Sequence, residues 1–122
     1  MRELDEMVKF QAGWSMLEII ENDELTYDTE NGQVTITAIQ IAQTDLLAAA
    51  GITPAATMGM SMGEMAAAYA AGGLSAEDAI VIACARARLM GEGEQQVAGT
   101  DGEGAMAVVE FCLLYTSDAA DE

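Results

Sequence analysis

The run Gly59-Met60-Ser61-Met62-Gly63 narrows the folding options of this chain more than any other stretch. A serine sits between two glycines, each two positions away. Before it lies Ala55 to Gly59, opened by the only proline, Pro54; after it comes an alanine-rich run that Gly72-Gly73 halts. Proline biases its neighbourhood towards extended backbone, and paired glycines stop a helix. The spacing therefore predicts a buried strand over 55–59, a tight turn over 59–63 and a helix from Met62 to Ala71. G-x-S-x-G in a strand-turn-helix context is the pattern of a nucleophile elbow. There a serine rides a strained turn, small residues let the turn close, and the following N–H groups face a developing oxyanion.

The same residues carry a second reading. Ser61-Met62-Gly63-Glu64 is also an S-x-x-E capping box, in which Ser61 does no more than start a helix. One absence bears on the choice: the chain contains no histidine. A serine nucleophile normally takes its base from histidine. Either the base comes from outside these residues or the chain is not a complete enzyme.

Around the elbow the pattern is helical. Residues 2–11 and 14–21 read as two short helices, and the polar, glycine-ended stretch 22–32 as a loop. Apolar residues recurring from Gln33 to Ala50 predict a long helix ended by Gly51. Ser75-Ala76-Glu77-Asp78 reads as an N-cap with acids in the first turn. Its helix is expected to reach about Met90, with Gly91 and Gly93 closing it. Residues 92–104 then read as a loop and 105–111 as a strand.

The helix over 79–90 is apolar nearly all round and is expected to be largely buried. Arg86 shares a face with Ala79, Ile82 and Ala83. A guanidinium there needs a partner or a wet cleft, and its planar fork suits a carboxylate. The plainer alternative is that it reaches water near the helix C-terminus, as Arg88 is expected to do. The methionines at 58, 60, 62 and 65 fit either an adaptable apolar groove or ordinary core packing.

Charge removes whole classes of partner. With 21 Asp and Glu against 4 Lys and Arg, the chain repels phosphate backbones and anionic lipid heads, so nucleic acid and membrane surfaces are poor partners. No apolar run reaches the roughly 18 residues of a membrane span, and the N-terminus lacks a signal-peptide layout. Cys84 and Cys112 fit no metal or disulfide spacing. The compartment is read as cytoplasmic.

Taken together, several runs resemble the acyltransferase domains of fatty-acid and polyketide synthases, of the malonyl-transferase type. They are Gln33 with Ala38-Ile39-Gln40, Gly51-Ile52-Thr53-Pro54, Gly59 to Glu64, Ala71 to Ala79, and Arg86-Ala87-Arg88-Leu89-Met90. With weaker similarity on both flanks the resemblance covers roughly residues 14–111. Val34-Thr35-Ile36, Ala71 to Ser75 and Leu89 to Glu94 look like the branch that condenses mycolic acids.

The resemblance implies an α/β fold. The chain would hold part of the large, hydrolase-like parallel-sheet subdomain, plus the first strand of a ferredoxin-like small subdomain over 105–111. It implies Ser61 as the acyl-carrying nucleophile, the N–H of Met62 as an oxyanion donor, Arg86 as the clamp on a substrate carboxylate, and Gln33 beside the active site. No metal and no directly bound cofactor are implied. The donor would be an acyl-coenzyme A, and the acceptor the phosphopantetheine thiol of an acyl carrier domain. Met60 stands where the family usually has histidine, and neither the Gly-Gln-Gly motif nor the catalytic histidine of the family is present. The chain by itself is therefore expected to be inactive.

Two rivals remain. An α/β-type serine esterase or thioesterase uses the same elbow, but it should carry an upstream oxyanion loop and has no need of Arg86. A non-catalytic acidic interaction module would use Ser61 only as a cap. Residues 112–122 resemble translated sequencing-adapter DNA, which leaves 1–111 as the partial acyltransferase domain and 112–122 as a non-native tail.

Overall fold

The computed structural model describes residues 1–22 and 28–98. They form five helices: α1 (Arg2–Ala12), α2 (Met16–Glu21), α3 (Thr29–Ala49), α4 (Gly63–Ala70) and α5 (Ala76–Ala98). The expected strand over 105–111 and the tail 112–122 lie outside the described residues.

Helix α5 is the centre of the arrangement and packs against α1, α3 and α4. The reason lies in its spacing. Ala79, Ala83 and Ala87 recur every fourth residue and, with Ile80 and Cys84, make a narrow buried stripe. Small side chains let α3 approach closely with Val34, Ala38 and Ile41, as ridge-into-groove packing requires. Leu4 and Val8 of α1, Met16 of α2 and Met65 of α4 complete the core. Only this stripe is buried. Ile82 and Leu89 are exposed, so the expectation of a largely buried helix holds for one face alone.

Local chemistry sets the helix ends. Gly13, Gly51 and Gly72 adopt positive φ just past α1, α3 and α4. Ser75 caps α5 by accepting from the Asp78 N–H at 3.0 Å. Helix α3 begins earlier than expected, at Thr29, because Asp28 and Asn31 form a reciprocal capping box inside what reads as a polar loop. Helix α5 runs on through Gly91 and Gly93. A Thr29 hydroxyl donating to Glu94 at 2.7 Å and an Arg88–Glu92 ion pair at 3.9 Å hold the extension. Elongating an existing helix is far easier than starting one, so two glycines, at roughly 1 kcal/mol each, do not end it.

The α1–α2 corner is built around a buried carboxylate. Asp5 accepts from the Ser15 hydroxyl at 2.9 Å and from the Leu17 N–H at 3.1 Å, and pairs with Lys9 at 2.8 Å. Burial works to raise its pKa, but bonds from Lys9, Leu17 and Ser15 outweigh that and hold it below the usual 3.8.

The expected strand over 55–59 does not form, and there is no strand among the described residues. A strand exists only by pairing its backbone with a neighbour, and none of the described segments offers one. Among the described residues the extended run is tied to α4 by the Thr57 hydroxyl, which donates to the Ala67 carbonyl at 3.0 Å. The sheet of the expected α/β fold is therefore not seen in these residues.

Candidate active site

The elbow is present as geometry. Ser61 has φ 54°, the only positive φ of a non-glycine residue among those described. A side chain in that left-handed region is strained by about 1–2 kcal/mol. The turn is closed by Gly63 N–H to the Met60 carbonyl at 3.0 Å and by Glu64 N–H to the Ser61 carbonyl at 3.1 Å.

The two glycines are not equivalent. A Cβ on Gly59 would collide with the backbone carbonyl of Gly63, whereas one on Gly63 would meet nothing. Gly59 is thus required for the two limbs of the turn to close. Gly63 simply begins α4.

Ser61 does not cap that helix. The N-cap of α4 is Met62, and no side chain caps it. Instead the Ser61 Oγ is exposed and accepts a hydrogen bond from Arg86 Nη2 at 2.8 Å. Among the described residues the Met62 N–H donates to nothing. It lies at the positive end of α4, where helix geometry leaves N–H groups unsatisfied.

Arg86 is half-buried. Its second amino group, Nη1, donates to Gln33 Oε1. The other end of the Gln33 amide donates to the Met90 sulfur at 3.5 Å. Ser61, Arg86 and Gln33 therefore converge from the elbow, α5 and α3. Among the described residues no carboxylate lies within ion-pair distance of Arg86, in a chain with 21 acidic residues.

Met90 was not singled out in the sequence as a site residue. The signal was available: it follows Arg86 by one helical turn, so both lie on one face of α5. Arg88, by contrast, points to water beside Glu92, as expected.

Three of the four methionines, Met58, Met60 and Met62, share one open groove, and the fourth does not. Met65 is buried and Met62 packs on the core, whereas Met58 and Met60 are 95% and 85% exposed. That groove, of about 590 Å³, is lined by the elbow residues Gly59, Met60, Met62 and Gly63 together with Met58, Gln40 and Thr44. Ser61 is not among its walls.

A serine at the apex of a strained turn, with a guanidinium on its oxygen and an unused N–H beside it, suits attack on a carbonyl near a negatively charged group. The family comparison agrees: residues 1–118 match the acyl transferase domain model. The chain belongs to the acyl transferase domain family. It is 40% identical over 112 residues to phthioceranic/hydroxyphthioceranic acid synthase of Mycobacterium bovis, covering 92% of this chain. It is 36% identical over 109 residues to a mycocerosic acid synthase-like polyketide synthase of Mycolicibacterium smegmatis, covering 89%. Over the same length it is 34% identical to a phenolphthiocerol/phthiocerol polyketide synthase of Mycobacterium tuberculosis. The chain spans about 5% of the length of each of these relatives. None of the three carries the name of a mycolic acid-condensing enzyme.

Proposed function

We propose that this segment supplies the nucleophile and substrate clamp of a polyketide synthase acyltransferase. In the intact enzyme it would move a carboxyacyl group, malonyl-type or longer, from coenzyme A to the phosphopantetheine thiol of an acyl carrier domain. The observation that carries this reading is Arg86: a half-buried guanidinium with no carboxylate of its own among the described residues, hydrogen-bonded to Ser61 Oγ. Its anionic partner is the free carboxylate of the substrate, held by a charge-assisted hydrogen bond.

In the first step the Ser61 oxygen attacks the thioester carbonyl. Its proton passes to a base, which these residues do not supply as histidine. The Met62 N–H faces the oxyanion. The carbon–sulfur bond breaks, coenzyme A leaves as its thiol with that proton, and an acyl-Ser61 ester remains. In the second step the carrier thiol attacks the ester and Ser61 recovers a proton. By itself the segment is inactive on this reading, since the base lies elsewhere. Dependence on coenzyme A and carrier thiols fits work in the cytoplasm.

The test uses the intact synthase that carries this segment. Incubated with radiolabelled malonyl-coenzyme A and quenched in acid, it should retain label on the peptide holding Ser61, and Ser61→Ala should abolish that label. Release of free malonate without transfer to a carrier thiol would instead favour the hydrolase reading. Wild-type protein that takes no label on Ser61 would favour the non-catalytic module.

A further inference from the structure

We infer that the Arg86–Ser61 hydrogen bond is a resting-state latch, which the substrate's own carboxylate opens. The inference rests on Arg86 being the carboxylate receptor, and it adds a role that a receptor need not have. With no substrate present, Arg86 Nη2 occupies an acceptor lone pair of the nucleophile at 2.8 Å, while Nη1 is engaged by Gln33.

The two contacts differ in permanence. Gln33 projects from the regular helix α3, and its amide also makes a weak contact to the Met90 sulfur, so Nη1 keeps its partner. Ser61 Oγ is a neutral acceptor on an exposed turn. A carboxylate is a stronger partner for a guanidinium than a hydroxyl is, because both members carry charge. An incoming carboxyacyl group therefore takes Nη2 and frees the Ser61 lone pair in the same event. A neutral acyl group brings nothing to compete with Ser61 and meets a nucleophile whose electron density is still drawn towards the guanidinium. Selection would then act on reactivity as well as on binding.

The experiment follows Ser61 with a neutral reagent, phenylmethylsulfonyl fluoride, in the intact synthase. Ser61 Oγ displaces fluoride from sulfur and its proton goes to the base, so no carboxylate takes part. Formate, a carboxylate too small to block the turn, is the opener. Formate should speed sulfonylation of wild-type Ser61 by about tenfold, the worth of one charge-assisted hydrogen bond. Arg86→Gln should react faster than wild type without formate and ignore its addition.

Arg86→Lys guards against a folding defect. It keeps the charge, but its single ammonium cannot span Gln33 and Ser61 as the fork does. It should match wild-type helicity by circular dichroism and lose the formate response. Formate that slows or leaves unchanged the wild-type rate overturns the latch, as does Arg86→Lys with an undiminished response. Failure of the acyltransferase reading registers separately, as the absence of a malonyl ester on Ser61 while sulfonylation proceeds.

Discussion

Arg86 Nη2 lies 2.8 Å from the Oγ of Ser61, across 25 positions of sequence. The contact joins the elbow to the middle of α5. It makes the serine's environment depend on a helix that shares no local sequence with it. Ser61 itself is fixed by its neighbours alone, through a backbone that a serine adopts at some cost.

That backbone can be tested by replacing Ser61 in two ways. Ser61→Ala and Ser61→Gly both remove the hydroxyl and its bond to Arg86. Only glycine accepts φ 54° freely. Ser61→Gly is expected to unfold with about 1 kcal/mol more stability than Ser61→Ala, measured by urea denaturation. Equal stabilities would mean that the turn relaxes once the hydroxyl has gone.

The glycines of the elbow should separate just as clearly. Gly59→Ala drives a methyl into the Gly63 carbonyl and should cost about 1–3 kcal/mol. Gly63→Ala enters open space at the start of α4 and should be neutral or stabilising by up to about 1 kcal/mol. Thermal unfolding of the two variants side by side checks the asymmetry.

Arg86→Ala removes the proposed substrate clamp and, with it, the hydrogen bond to Ser61 Oγ. In the intact synthase, malonyl transfer should fall by about 10- to 100-fold, while transfer from acetyl-coenzyme A holds or rises. The ratio of the two rates is the readout, and an unchanged ratio would remove Arg86 from substrate selection.

Cys84 should behave as an inert thiol. Burial, with a smaller contribution from Glu30, raises its pKa from 9.0 to about 11. Iodoacetamide at neutral pH should leave Cys84 unmodified in the folded chain and alkylate it readily in urea, as read by peptide mass. Between the unfolded and folded pKa values the unfolded thiol has lost its proton and the folded one keeps it, so alkali weakens the fold across that window.

Asp5 works in the opposite direction. Its folded pKa lies below 3.8, so its contribution is complete above that pH and disappears as pH falls through the lower folded value. Melting temperatures recorded on acidification from mildly acid to strongly acid buffer should fall less steeply for Asp5→Asn than for wild type. Parallel curves would show that the carboxylate is not paired as described.

How much of this was legible in the sequence depends on range. The elbow was readable because its constraint acts between residues four apart, Gly59 and Gly63, and the Ser75 cap because it is local too. The start of α3 was missed because Asp28 and Asn31 cap it from inside a polar run that reads as loop. The end of α5 was missed because contacts from Thr29 and Arg88 outweigh two glycines. The strand over 55–59 was expected from Pro54 and the spacing to the elbow, yet a strand is a property of two segments and no described one pairs with it. Ser61, Arg86 and Gln33 were each singled out, but nothing in the sequence alone revealed that one guanidinium bridges the other two, or that Met90 touches the far end.

The placement of Arg86 and Met90 one turn apart on α5 has a consequence for how such a domain tolerates change. Each residue added inside a helix rotates everything beyond it by about 100°. One insertion between Ala76 and Arg86 would swing the guanidinium off the serine and the sulfur off the amide together, with every side chain still present. An insertion in the turn before Ser75 would leave the helix phase intact. Length variation among working domains of this kind should therefore gather in the turn and spare the first half of the helix.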